Sequence, residues 1–104
     1  MKEVQWTETA RKTLQETSDF ILKLWNENVN KEFVEQLDYR ITQLQNNPEL
    51  GLSFENTLIR RLIIHKTTSL FYINAPQYIR LLVIWDNRQD PDKLLEKLTD
   101  ANIR

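Results

Sequence analysis

The rhythm of buried-type residues changes once along this chain, at the segment that holds its only glycine, Gly51. Before Pro48 they recur at helical spacing. Ala10, Leu14, Thr17, Ile21, Leu24 and Trp25 form one stripe, and Phe33, Val34, Leu37, Ile41 and Leu44 a second. Residues three and four apart share one side of a helix, so each stripe predicts a helix with one face to bury. After Asn56 the runs become short, continuous and β-branched: Leu58 to His65, Ser69 to Asn74, and Tyr78 to Trp85. Such runs predict strands. Helices first and strands afterwards make an α+β fold, with the helices gathered on the sheet.

Local signals set the boundaries. Glu3 to Trp6 is a short strand candidate with Val4 and Trp6 on one side. Thr7 can cap the first helix, and Glu8 suits its positive end. Asn26 to Asn30 is a polar break in which Asn30 can cap again, and Asn46-Asn47-Pro48 stops the second helix. Two adjacent amphipathic helices with a short connection predict an antiparallel hairpin. Lys66-Thr67-Thr68 and Ala75-Pro76-Gln77 are of hairpin length, so the three strands predict an antiparallel meander. Both faces of these strands carry apolar residues, which calls for cover on both. Asp90-Pro91 opens a short last helix whose apolar side is Leu94, Leu95 and Leu98, with a frayed tail after Thr99. The expected fold is α+β: a twisted antiparallel sheet, made of the N-terminal strand and the meander, packed on the helical hairpin, with a short C-terminal helix. One domain over residues 1–104 is expected.

Composition excludes several classes. There is no cysteine, hence no disulfide, thiol nucleophile or thiolate metal site, and His65 is the one histidine. No metal or cofactor is expected. No apolar run approaches membrane-spanning length. The opening Met-Lys-Glu-Val-Gln-Trp lacks a signal-peptide stretch, and a cytoplasmic location is expected. The net charge of −1 hides a polarised chain. Residues 1–57 hold six Lys/Arg and ten Asp/Glu, whereas Leu58 to Arg88 holds Arg60, Arg61, Lys66, Arg80 and Arg88 against Asp86 alone. A basic, strand-rich half suits a surface that meets phosphate or acidic partners.

The cations are the candidate site. Arg60 and Arg61 are neighbours in a strand, so they leave opposite faces of the sheet. Either can reach a phosphate or a carboxylate. Arg80 and Arg88 share parity on the last strand if no bulge intervenes. Arg88, at the strand end, can hold a phosphate or a developing oxyanion, or pair with Asp86, Asp90 or Asp92. His65 is the candidate general base, and Lys66 belongs to the same positive rim. Trp25 and Trp85 read as core residues. Trp6 and Tyr72, with them, offer base stacking as the alternative. Glu32, Glu35 and Asp38 read as a solvated helix face.

Three segments resemble one known family in their order along the chain. Thr7-Glu-Thr-Ala10 after the opening strand is similar to the first helix start of the RelE/ParE toxin superfamily. Arg61-Leu-Ile-Ile-His-Lys66 followed by Leu70-Phe-Tyr-Ile73 resembles its central hairpin. Leu82-Val-Ile-Trp-Asp-Asn-Arg-Gln-Asp-Pro91 resembles its last strand and turn. The resemblance spans nearly the whole chain. It implies the toxin half of a bacterial type II toxin–antitoxin module, held inactive in a heteromeric complex by a cognate antitoxin.

The resemblance also implies two possible activities, of which a metal-independent, ribosome-dependent endoribonuclease is the favoured expectation and gyrase inhibition the alternative. One branch cleaves messenger RNA in the ribosomal A site. By that likeness Arg88, Arg61 and His65 would be catalytic, with Lys66, Arg60 and Arg80 on the phosphate. The other branch inhibits DNA gyrase without a nuclease site, and a non-toxic antitoxin-binding remnant is a third reading. Arg88 stands at the ribonucleases' strand-end arginine, but Ser69 stands where they often place another arginine, and Leu94 near their C-terminal tyrosine. The Arg88-Gln-Asp-Pro91 turn resembles the gyrase-inhibiting branch more closely. A nuclease reading requires the cationic side chains to converge on one cavity beside the sheet.

Overall fold

A computed structural model describes residues 1–103. The elements run β1 (Glu3–Trp6), α1 (Glu8–Leu24), α2 (Glu27–Asn46), β2 (Leu52–Ser53), β3 (Ile59–His65), β4 (Thr68–Asn74), β5 (Tyr78–Asp86) and α3 (Pro91–Ile103). They form an α+β fold around a five-stranded sheet of order β1-β5-β4-β3-β2. The expected meander β3-β4-β5 is present and antiparallel. Two features differ from expectation. β1 joins β5 in parallel, with Val4 opposite Ile79 and Trp6 opposite Leu81, so the sheet is mixed. The loop before β3 contributes a two-residue edge strand, β2. Pairing partners are long-range choices, which apolar periodicity does not record.

The caps follow local chemistry. Thr7 Oγ1 accepts from Ala10 N at 3.0 Å. The second helix is capped by Asn26, whose Oδ1 accepts from Val29 N at 3.0 Å. Asn30, the expected cap, lies inside α2 and its Oδ1 accepts from Ser18 Oγ at 2.8 Å, tying the hairpin. Asp90 Oδ1 accepts from Asp92 N at 2.9 Å, with Pro91 at the first helical position. α3 continues through Ile103 with Ala101 fully buried, so the frayed tail after Thr99 is instead helix, Arg104 lying outside the described residues.

One sheet face is covered by the helical hairpin and the other, over β4 and β5, by α3, while Arg61 and Ile63 of β3 stay exposed. On one, Phe33, Leu37 and Leu44 of α2 and Ala10 of α1 meet Leu62, Leu70, Tyr72, Ile79, Leu81 and Ile84. On the other, Leu94, Leu98 and Ala101 of α3 meet Phe71, Leu82, Val83 and Trp85. Leu95 is exposed, so the apolar side of α3 is narrower than expected. Of the described residues, no helix is long and apolar enough to cross a membrane.

β1 covers only Tyr78 to Leu81 of β5. Beyond it, two threonines of α1 and its cap meet the strand's backbone. Thr7 Oγ1 donates to Leu82 O at 3.2 Å, and Thr13 Oγ1 accepts from Ile84 N at 3.0 Å while donating to Thr9 O at 2.8 Å. A buried N–H must find an acceptor, which explains a β-branched hydroxyl in mid-helix. At the other side of the sheet, Tyr72 Oη donates to Pro48 O at 2.9 Å and accepts from Gly51 N at 2.8 Å. A Cβ on Gly51 would stand 2.8 Å from that ring and 2.9 Å from Arg61 O, so the close approach is what requires glycine. Burial pushes the Tyr72 hydroxyl up from its ordinary range.

Candidate functional site

The β3-β4 turn, the end of β5 and the connecting end of the α1-α2 hairpin enclose a cavity of about 230 Å³. It is smaller than the roughly 300–1,000 Å³ of sites that engulf a drug-sized molecule. Phe20, Ile21, Leu24, Trp25 and Val29 form its apolar wall, and His65, Lys66, Asp86 and Arg88 line it from the sheet side. Trp25 caps the end of α1 and is 62% exposed, and Leu24 is 57% exposed. Both were expected in the core. The helical stripe continues past the point where the hairpin still has sheet beneath it, so its last members face the cavity and solvent.

Asp86 and Arg88 dominate the polar side. Arg88 donates from NH2 to Asp86 Oδ2 at 2.6 Å and from Nε to Oδ1 at 3.1 Å, and its backbone N–H donates to Oδ1 at 2.9 Å. Asp86 is buried, whereas the Arg88 side chain is 58% exposed. Hydrogen bonding from Arg88, against the opposing effect of burial, holds the Asp86 carboxyl below the usual carboxylate range and the guanidinium above its own. Arg88 also lies 6.0 Å from the Phe20 ring centroid, a cation–π distance. Of the alternatives for Arg88, the geometry takes the bidentate pair with Asp86.

His65 ends β3 with its Nε2 buried and, among the described residues, without a hydrogen-bond partner. Lys66 is exposed and sits at φ 47°, in the left-handed region. For a non-glycine residue this conformation costs of order 1–3 kcal/mol. The turn thus holds a lysine where a glycine would be more comfortable, at the mouth of the cavity.

The remaining candidates lie elsewhere. Arg60 donates to Gly51 O at 2.7 Å and Glu49 O at 3.2 Å, bracing the loop before β2. Arg61 leaves the opposite face and donates to Ser69 Oγ at 3.2 Å. Arg80 donates to Ala101 O at 2.9 Å, near the end of α3. Convergence of all six side chains on one cavity is therefore corrected to three, His65, Lys66 and Arg88. The shared parity of Arg80 and Arg88 fails for a local reason. Phe71 pairs with Val83 and Tyr72 with Leu81, so Leu82 is the extra residue of a β-bulge that switches the faces beyond it. A second irregularity lies between Ile63 and His65. Nothing in the apolar pattern marks either bulge, because both strands are apolar on both faces.

Ser69 is fully buried and accepts from both Arg61 and Asn87, the latter at 3.0 Å. Leu94, on α3, is buried against the sheet. Tyr72 and Trp85 are core residues and Trp6 packs against the core, so base stacking is left to Trp25. Glu32, Glu35 and Asp38 are exposed, as expected. The contribution of Phe20 and Val29 to the cavity wall went unread in the sequence.

Comparison with known proteins places the chain by family and by fold. The family model described as the ParE toxin of the type II toxin–antitoxin system parDE matches residues 4–91. A search of curated proteins gives no significant match. Among solved structures, a chain of the chromosomal ParDE toxin–antitoxin system from P. aeruginosa has a similar fold. The TM-score is 0.68 at 21% identity, over 81% of this chain and 94% of that one. With the family match running from the first strand to the start of the last helix, the chain belongs to the ParE toxin family of type II toxin–antitoxin systems.

Proposed function

We propose that this toxin acts by docking on a protein target, DNA gyrase, and not by cutting messenger RNA. The observation that carries the reading is the closed Arg88–Asp86 pair. A metal-free ribonuclease needs cationic donors free to meet the charge that develops on the phosphorane, and a base within reach of the 2′-hydroxyl. Here Arg88 directs two donor groups at a buried carboxylate. That same carboxylate would repel a phosphate entering the cavity. Arg60, Arg61 and Arg80 are engaged at three other places. The positions where the ribonucleases carry a further arginine and a tyrosine are Ser69 and Leu94, both buried. By contrast, exposed Leu24 and Trp25 beside a charged rim suit contact with a protein surface.

Two assays with purified toxin decide between the activities. One measures gyrase supercoiling of relaxed plasmid. The other maps message ends on programmed ribosomes by primer extension. Supercoiling is expected to fall with toxin concentration while messages stay whole. Cut messages with supercoiling intact would reverse the assignment and return Arg88, His65 and Lys66 to a nuclease site.

A further inference from the structure

The charged side chains that line the cavity beside the β3-β4 turn do not cancel. Asp86 is closed against Arg88 by a bidentate pair, which leaves the positive charge of Lys66 over. Lys66 stands exposed at the mouth and forms no ion pair among the described residues. Arg88 spends two of its three guanidinium nitrogens on Asp86, and its side chain is largely open to solvent. His65 lines the same cavity, and its buried Nε2 has no partner among the described residues, an arrangement that destabilises until a ligand pairs it. The facing wall is apolar and carries two aromatic rings, Phe20 and Trp25, beside Leu24 and Val29. Neither of the two cores takes up Leu24 or Trp25.

We propose that this cavity is a binding site for a small free carboxylic acid with an apolar body about the size of one aromatic ring. The body lies between Phe20, Leu24, Trp25 and Val29. The carboxylate receives Lys66 Nζ and the open edge of Arg88. His65 donates to it in the tautomer that carries the proton on Nε2.

Size and charge select this ligand class. A volume of about 230 Å³ lies below that of sites for drug-sized molecules, which limits the body to a ring on a short tether. One charge is left over at the rim, so a monoanion neutralises it. A phosphate dianion brings more charge than the rim can meet and sits closer to Asp86 than a single carboxylate on Lys66 needs to. A neutral apolar molecule leaves both Lys66 and His65 unused. The inference concerns the isolated toxin and does not rest on the gyrase reading.

The test titrates isotope-labelled toxin with phenylpropanoate and follows amide and indole shifts by two-dimensional NMR. Its neutral amide, phenylpropanamide, and the dianion phenylethyl phosphate are titrated in parallel. The expected result is saturable shifts at Trp25, His65 and Lys66 with a dissociation constant of about 1 mM or lower. The amide is expected to bind about fivefold more weakly, and the phosphate more weakly than the acid. Lys66→Gln is expected to weaken the acid about fivefold and to leave the amide unchanged. Leu24→Ser, at the wall, weakens both, whereas Leu22→Ser, on the same helix but outside the cavity, weakens neither. The spectrum of each variant verifies that it folds. No cavity shifts at concentrations about tenfold above the expected constant would overturn the proposal. So would an amide or phosphate that binds as tightly as the acid, an equal loss of acid and amide in Lys66→Gln, or an equal loss in Leu22→Ser.

Discussion

Thr13 is a modest helix former in the middle of α1, yet it is almost fully buried and bridges two elements. Its hydroxyl takes the Ile84 N–H that no neighbouring strand reaches. Thr13→Val keeps the shape and removes the acceptor, which leaves a buried donor unpaired. The expected cost is about 1–3 kcal/mol, read from urea unfolding, and an unchanged midpoint would refute the bridge. Asp86 makes a prediction of a different kind. Its folded pKa lies below the unfolded value, chiefly through Arg88. Its contribution to stability is therefore present above the unfolded carboxylate pKa of about 3.9 and is lost as pH falls through the lower, folded value. Asp86→Asn is expected to lower Tm at neutral pH and to flatten the acid limb of a Tm–pH curve. An acid limb as steep as wild type would show that the pair contributes nothing to folding. Residues of this type were only half legible in sequence. The Asp86–Arg88 pair was among the foreseen alternatives for Arg88, because the two are near in sequence. The role of Thr13 was not, because its partner is 71 positions away.

At the scale of elements, the helices and the meander follow from periodicity and caps, since both are local properties. What periodicity cannot tell is whether anything lies opposite a given stripe. α1 shows this directly: Ala10, Leu14 and Ile21 pack on the core, while Leu24 and Trp25 run past its edge. α3 shows the reverse, for a segment expected to fray carries Ala101 into the second core. That core is small, so α3 is held by few large side chains, Leu94 and Leu98 foremost. Leu98→Ala is expected to cost about 2–5 kcal/mol and to raise hydrogen exchange in α3 ahead of α1 and α2. Protection of α3 equal to that of the hairpin would contradict this division of the molecule into two cores. The bulge at Leu82 is the element-scale feature with the largest consequence. It lets Leu82 and Val83 both face α3, and it places Arg80 and Arg88 at separate sites.

For the molecule as a whole, the uneven charge of the sequence becomes a rim of a few cations rather than a single basic centre. Three of the six candidates meet at the hairpin end, and the other three brace a loop, a buried serine and a helix terminus. The side-chain destinations depend on register and on the bulges, so charge counting foresaw a polarised molecule but not this dispersal. A protein that docks can tolerate dispersal, whereas one that stabilises a phosphorane cannot. Association with an acidic antitoxin is expected to slow as salt screens the rim, and stopped-flow rates independent of ionic strength would remove that electrostatic contribution. The most direct measurement is made in cells that express the toxin without its antitoxin, by following labelled thymidine and labelled methionine incorporation from the moment of induction. The account predicts that DNA synthesis falls first while protein synthesis continues; an immediate stop in protein synthesis with DNA synthesis still running would contradict it.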